Sequence, residues 1–374
     1  MFIFNPRNYS DSEIDAVLHI KDRTQRVTFR YDLLDRNDVK IGELDGIEDA
    51  KVSYGEFRTI KRSATFELNE YSQKNIDYMS DQIQPWFILH MPQGGTVEYP
   101  LGIFLLESPE RQINGRFTSR NIGAYDKSLI IEGDRFTERF FIAAGTNYVG
   151  VIIKILTLSG ISKISITSNS SVIRSDREIP IGAKVKEVVN NLLGEINYRS
   201  ISVNEVGFFL SEPYVEPALR SITQWYIANR DSIILPQYTE SLDLAGQFNV
   251  FTRVARNLDG DTEYVSTIVN DNPMSITSIQ NRGGRRIVDL EEIENIADQE
   301  TLNSYTRRIA INAMSTYSHL KFGSALMPTH GSADTLYCDF PIFDTPQVFS
   351  ETSWEMDLKY DGVMQHEARR VVNL

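Results

Sequence analysis

The sequence predicts a mainly β chain with an inserted α/β module, an α+β organisation, and three observations carry that expectation. The first and last thirds hold short runs whose apolar residues recur at every second position, the period of a half-buried strand. Turn pairs such as Asp45-Gly46, Gly94-Gly95 and Asn114-Gly115 punctuate them. Between these regions the period changes twice to that of an amphipathic helix, in alternation with strand-like runs. The expected division is an N-terminal β domain over 1–138, an α/β accessory domain over 139–213 and a second β region over 214–374, with the domains discontinuous.

Each element has a local reason. In RVTFRYDLL, Val27, Phe29, Tyr31 and Leu33 alternate with mostly polar neighbours, and Ala64, Phe66 and Leu68 do so in SATFELNE. PWFILHM (85–91), GIFLLES (102–108) and GRFTSRNIGAYD (115–126) continue the pattern, with a short helical turn expected over Asn75 to Ile83. Many short strands at this spacing make a sandwich or a barrel. Thr146 is the candidate cap of a helix that runs to Leu158, with Val149, Ile152, Ile153 and Leu156 inward and Gly160 as its stop. ISKISITS (161–168) reads as a strand. A second helix, Ala183 to Leu193, turns Val185, Val188, Val189, Leu192 and Leu193 inward and ends at Gly194. NYRSISV and GFFLSEPYV form a hairpin around Asn204 to Gly207.

Farther on, QFNVFTRVARN and EYVSTIVN make a hairpin across LDGDT. Asp298, or as the weaker candidate Asn303, caps a helix over 299–315 whose buried stripe is Leu302, Tyr305, Ile309 and Ala313. SWEMDLKY and VMQHEARRV close the chain as a hairpin at Asp361-Gly362. Trp354, Met356 and Leu358 alternate on one arm, and Met364, His366 and Ala368 on the other.

The chain has 374 residues, 38 basic and 51 acidic, for a formal charge of −13. That balance argues against a protein whose main task is to hold nucleic acid, since such affinity comes from neutralised phosphates. A single cysteine, Cys338, excludes a disulfide framework and a multi-cysteine zinc site, and it reads as a small buried hydrophobe. The start, MFIFNPRNYSDSEID, lacks the features of a signal peptide, and no apolar run is long enough to span a bilayer. Synthesis in a cytoplasm, with no stable membrane insertion, is the expectation.

A search for catalytic chemistry finds little. None of His19, His90, His319, His330 and His366 lies within four residues of another, so no HExxH-like pair exists. His19 and His90 fall in strand-like runs, His319 just after the helix, and His330 in a loop where contact with a ligand is commoner. The serine-hydrolase elbow, the phosphate loop and the dinucleotide fingerprint are all absent. No catalytic residue, cofactor or metal ligand is therefore assigned. NLDGDTE offers Asn257, Asp259, Asp261 and Glu263 at alternate positions, as calcium loops do. Its glycine is misplaced for an EF-hand, however, and Ile268 occupies the final ligand position, so a hairpin turn is the better reading.

The run RGGRR, with Arg282, Arg285 and Arg286 around Gly283 and Gly284, could grip phosphate if a helix began at the glycines. The glycines lead instead into an extended stretch and the acidic residues Glu291, Glu292 and Glu294. The run reads as a bent connector whose three arginines meet acidic protein, in this subunit or a neighbour.

The succession NDNPMSITSI, RGGRRIVDLEEIENIADQETLNSYTRRIA and LMPTHGSAD resembles a segment of tail hub proteins of tailed bacteriophages that infect Gram-positive hosts. The residues that carry it are Asn272, Pro273, Ser275, Thr277 and Ser278, then Arg285, then Asp298, Gln299, Leu302 and Tyr305. The closing SETSWEMDLKYDGVMQHEARRVV is similar to that family's last hairpin, and YPLGIFLLESPER and NYRSISVNEVGFFLSEPY to its N-terminal barrel and middle domain. The resemblance covers nearly the whole chain, and its motifs are structural.

It implies two tail-tube-like β-barrel domains per subunit, a homotrimer forming a pseudo-sixfold ring, and a place in the virion at the tail tip or baseplate. Implied partners are the tail tube protein, the distal tail protein, the tape measure C-terminus and a separate fibre or lytic protein. DNA would pass through without specific binding, helped by an acidic lumen, since three copies of a −13 chain carry about −39. The lytic or receptor-binding extension of many relatives is not expected here. Two other readings compete: a tail-associated cell-wall hydrolase and a virion receptor- or carbohydrate-binding protein. Against the latter, Trp86, Trp225 and Trp354 sit in apolar or alternating runs, as core residues do.

Overall fold

A computed structural model describes residues 3–19, 26–70, 76–114, 117–228, 233–243, 247–256, 263–293 and 295–372. It opens with a helix that periodicity does not predict, α1 (Asp11–Leu18). Ser10 begins it through a capping box: Ser10 Oγ accepts from the Glu13 amide at 3.3 Å, and the Glu13 carboxylate accepts from the Ser10 amide at 2.8 Å. Only Ile14 and Leu18 are buried, too few turns for a helical period to show. His19, read as part of a strand, is the C-cap of this helix.

Strands β1 (Val27–Leu34), β2 (Lys40–Glu43), β3 (Ile47–Gly55), β4 (Arg62–Asn69), β5 (Gln82–His90), β6 (Thr96–Pro100), β7 (Phe104–Asn114) and β8 (Phe117–Asp126) come next. The turn expected over Asn75 to Ile83 is a non-helical one at Tyr78–Ser80, held by the Asp77 carboxylate, after which the chain enters β5. The accessory segment contains α2 (Ser128–Gly133), β9 (Phe140–Ile142), α3 (Tyr148–Leu158), β10 (Ile164–Ile166), β11 (Arg177–Ile179), α4 (Val185–Gly194), β12 (Ser202–Val203) and β13 (Phe209–Ser211). Then come β14 (Gln224–Ile227), β15 (Ile234–Leu242), β16 (Val250–Arg256), β17 (Glu263–Val269), β18 (Val288–Ile293), α5 (Gln299–Ser315), β19 (Ser318–Ser324), β20 (Thr335–Asp339), β21 (Gln347–Asp357) and β22 (Met364–Arg370).

The main sheet has 14 strands, in the order β15-β19-β22-β21-β3-β4-β8-β7-β5-β1-β2, with β20 and β14 branching from β21 and β6 from β5. The branches arise because β21 shares one side between β3 and β20, and β5 between β7 and β6. No barrel closes among the described residues: β2 and β15 end the path and do not pair. The two β regions expected as separate barrels are instead joined by β3–β21 pairing, from Ser353↔Gly55 to Asp357↔Lys51. One apolar core serves both, running from Ile14 and Phe66 through Phe104 to Phe349 and Ala368. Each fully buried Phe there contributes roughly 2–3 kcal/mol relative to exposure.

The accessory segment has its own core around Ile152, Val189, Leu193 and Phe209. The cap of α3 is Asn147, not Thr146: Asn147 Oδ1 accepts from the Gly150 amide at 3.0 Å, whereas Thr146 Oγ1 donates back to the Ala143 carbonyl. Helix α4 starts at Val185 and includes Gly194, and the left-handed residue beyond it is Asn197 (φ 52°). This segment meets the main sheet through ion pairs. Asp38 binds Lys127 and Lys163, both at 2.7 Å. Arg62 binds Glu205 at 2.8 Å, and Glu56 accepts from Arg199 at 3.0 Å and Lys61 at 3.2 Å.

A third unit packs α5 on one face of the sheet β17-β16-β18. Asp298 caps α5, its Oδ1 accepting from the Thr301 amide at 2.7 Å. Asp298→Ala is therefore expected to lower the unfolding free energy by about 1 kcal/mol in urea titrations, and Asn303→Ala to leave it nearly unchanged. The buried stripe is Leu302, Thr306, Ala310 and Met314, while Tyr305, Ile309 and Ala313 are half-buried. The arc is turned because α5 also meets the accessory side, where Arg308 donates to the Tyr198 carbonyl at 2.8 Å.

Candidate functional site

The arginine turn lies between β17 and β18, and the motif before it is a self-bonded loop. Asn270, fully buried, donates to Ser275 Oγ at 2.9 Å and Thr277 Oγ1 at 3.2 Å. Asn272 Oδ1 accepts from the Met274 amide, and Asn281 ties the Pro273 and Ser275 carbonyls at 2.8 Å each. Gly283 (φ 65°) and Gly284 (φ 85°) both take the left-handed conformation that makes the bend. Their amides are used inside the turn, donating to the Gln280 and Ile279 carbonyls at 3.1 and 2.9 Å. No amide nest faces an anion there, and the next element is a strand, so the phosphate reading fails on geometry.

The acids behind the turn have other partners. Asp289 and Glu291 bind the buried Arg253 at 2.8 and 3.3 Å, and Glu292 lies 3.8 Å from Arg256. Arg253 gave no sequence signal beyond an inward position on β16. The Arg285 carbonyl is held by Asn249 Nδ2 at 2.9 Å, so the backbone here is fixed. The side chains of Arg285 and Arg286 are exposed and form no ion pair with described residues, whereas Arg282 is half-buried.

A second constellation, invisible to spacing, lies in the main core. His330, Glu351 and His366 are fully buried. His330 Nδ1 is 2.6 Å from Glu351 Oε2, and His366 Nδ1 is 2.7 Å from Glu351 Oε1. The Tyr226 hydroxyl lies 2.7 Å from His330 Nε2, Ser324 Oγ lies 2.8 Å from His366 Nε2, and the Phe322 ring stacks on His366. Burial alone would raise the Glu351 carboxyl, but the two imidazoles bring it down to about 2. Burial lowers both histidines. Glu351 and Asp334 together lift His330 above its ordinary value, while His366, which has Glu351 but is repelled by His330, stays below.

These three residues are the only group of metal-ligand composition among the described residues. The separations are those of hydrogen bonds. Two atoms bound tetrahedrally to one zinc at about 2.0–2.2 Å would lie about 3.3 Å apart. At 2.6 and 2.7 Å both gaps are shorter than that, the spacing of shared protons, and all three side chains are buried. His366 was legible as an inward residue of β22, and Glu351 shares the inward face of β21 with Phe349; only their meeting was not.

Three smaller expectations resolve here. Cys338 is fully buried, and burial pushes its thiol up. Trp225 is 49% exposed, because Gln224 and Tyr226 take the inward positions of β14; Trp354 is buried and Trp86 half-buried. Residues 257–262 of the NLDGDTE loop lie outside the described residues.

The fold, an α+β chain built on one 14-stranded sheet, is similar to that of phage tail proteins. It matches the tail protein of Neisseria meningitidis MC58 with a TM-score of 0.66 at 8% identity, over 92% of this chain and 97% of that one. It also matches the 43 kDa tail protein of prophage MuSo2 from Shewanella oneidensis (TM-score 0.64, 8% identity, 91% and 98% covered). Prophage tail protein gp18 from Listeria monocytogenes EGD-e matches at 0.55, with 11% identity and 91% and 94% covered. The three organisms differ, so the likeness is not tied to one class of host. No protein-family model and no curated protein sequence matches the chain.

Proposed function

We propose that this chain is a structural hub at the distal end of a phage tail tube or tail-like particle, organising the tail tip or baseplate for host attachment and genome delivery. One observation carries the reading: the fold agrees with tail proteins from end to end, over at least 91% of this chain and 97% of two others. The two halves of the main sheet would be the counterparts of tail-tube domains, and three subunits would set six of them in a ring around the DNA path. The tail tube protein, the distal tail protein, the tape measure C-terminus and a fibre or lytic protein are the proposed partners. The proposed role is non-enzymatic.

Solution mass measurement tests the proposal: a stable species of three times the chain mass is expected, and a monomer at micromolar concentration would overturn it. Arg285 and Arg286 are proposed subunit or partner contacts, with Arg282 at the base of the turn. The double variant Arg285→Glu/Arg286→Glu is expected to reduce association with the partner tail proteins at least tenfold, read by analytical ultracentrifugation of the mixture, without changing DNA retention in a gel-shift assay. A variant that assembles normally but binds DNA differently would contradict this assignment.

A further inference from the structure

We propose that the open face of the β17-β16-β18 sheet is a docking surface for one amphipathic α-helix of a partner chain, about four turns long and acidic where it passes Arg285 and Arg286. A small sheet buries one face against a helix, and here α5 does so, packing on Phe251, Ala255 and Ile268. Alternation sends the intervening residues to the other side. Pairing sets them in rows: Val269, Val250 and Val288; then Thr267, Thr252 and Leu290; then Val265, Val254 and Glu292.

Val265, Val269, Val288 and Leu290 are 39–62% exposed, Thr252 and Val254 are half-buried and Val250 alone is buried, and the Thr252 and Thr267 hydroxyls meet at 3.0 Å in an exposed bond. The face is apolar where a solvated one would carry charges, as surfaces that receive a partner do.

Size and charge select the occupant. Three strands about 4.8 Å apart and four rows of alternate residues, the fourth being the Arg256–Glu263 pair, span roughly 14 by 20 Å. One helix about 10 Å across and about 13 residues long covers that patch, as α5 covers its opposite. A second copy of this chain would need about 800 Å² per partner for a standard interface, well beyond this patch. The far end of the face carries Arg256 between Glu263 and Glu292, each 3.8 Å away. The near end carries Arg286, two residues before Val288 in the same alternation, and Arg285, both exposed and without an ion pair among described residues. Carboxylates on the ligand complete that end. The inference goes beyond the tail role and stands whether or not the chain is a trimer.

The test uses the full chain and a fluorescent 14-residue helical peptide with leucines at helical spacing and glutamates in its terminal turns, against the same peptide with lysines there. Anisotropy titration is expected to show saturable binding of the glutamate peptide, at least tenfold tighter than the lysine peptide. Leu290→Asp and Val265→Asp, both at exposed positions, should each weaken it at least tenfold while circular dichroism and Tm stay unchanged. Arg285→Glu/Arg286→Glu should reverse the preference between peptides. Absent binding, equal binding of both peptides, or undiminished binding in both aspartate variants would overturn the proposal. So would conversion of a trimer to monomers by Leu290→Asp, which would show that a second copy covers this face.

Discussion

Glu351→Met will lower the unfolding free energy by about 3–5 kcal/mol, the range for removing one partner from a buried ion pair. Methionine fills much of the same space but accepts neither Nδ1–H, leaving two buried imidazoles unsatisfied at those nitrogens. Glu351→Gln will cost less, because its amide oxygen can serve one ring and its NH2 the other after a change of tautomer. Guanidinium unfolding at pH 7 measures both, and equal small effects would refute the buried-pair account.

The pH dependence has a definite sign. The Glu351 carboxyl sits at about 2 when folded against 4.5 ordinarily, so its contribution is present above pH 4.5 and lost as pH falls toward 2. His330, raised, stabilises below its ordinary 6.5, and that contribution disappears as pH rises through its folded value. His366, lowered, acts the other way, favouring unfolding below 6.5 because the unfolded ring takes the proton more readily. The two histidines oppose each other, so the acid limb near pH 3 is shared by Glu351 and Glu56, and Glu351→Gln should make it shallower.

The second large effect lies at the accessory seam. Burial would raise Glu56, but Lys61, Arg199 and the Tyr54 hydroxyl hold its carboxyl at about 2. That shift from 4.5 corresponds to about 3 kcal/mol, discounted to about 2 because the side chain is 21% exposed. Its contribution is complete above pH 4.5 and fades toward pH 2. Glu56→Gln is expected to raise amide exchange in residues 128–211 at least tenfold at pH 7 while the main sheet stays protected. The reason is that the segment has its own apolar core and meets the sheet through buried ions. Uniform exchange across both regions would show that the seam is not a separate unit of stability.

Much of this architecture was legible because it is local. The closing hairpin carries Trp354, Met356 and Leu358 opposite Met364, His366 and Ala368, and all six are buried as their alternation requires. Asp298 announces α5, and Gly283 and Gly284 announce a bend. Errors of one or two residues at α3 and α4 are errors of cap choice, since Thr146 and Asn147 are both competent and only contacts decide between them. The missed α1 is too short for periodicity but did show its capping box, Ser10 with Glu13.

The candidate sites were less legible. The arginine run stood out in the sequence, yet whether its amides were free depended on the hydrogen bonds to Gln280 and Ile279. The face beside it could not be recognised as uncovered, because β16 and β17 read as an ordinary hairpin until α5 was seen on one side only.

By itself the sequence determined the strand-rich character, the α/β insertion, the hairpin at Asp361-Gly362 and the acidic charge. All of these depend on neighbours within a few residues or on composition. Only the tertiary structure decided that β3 pairs with β21, some 300 residues away, so that two expected barrels became one sheet over one core. It alone brought His330, Glu351 and His366 within hydrogen-bonding distance. Alternation tells which side of a strand a residue faces but not which distant strand lies beside it. That choice is made by the packing of the whole core.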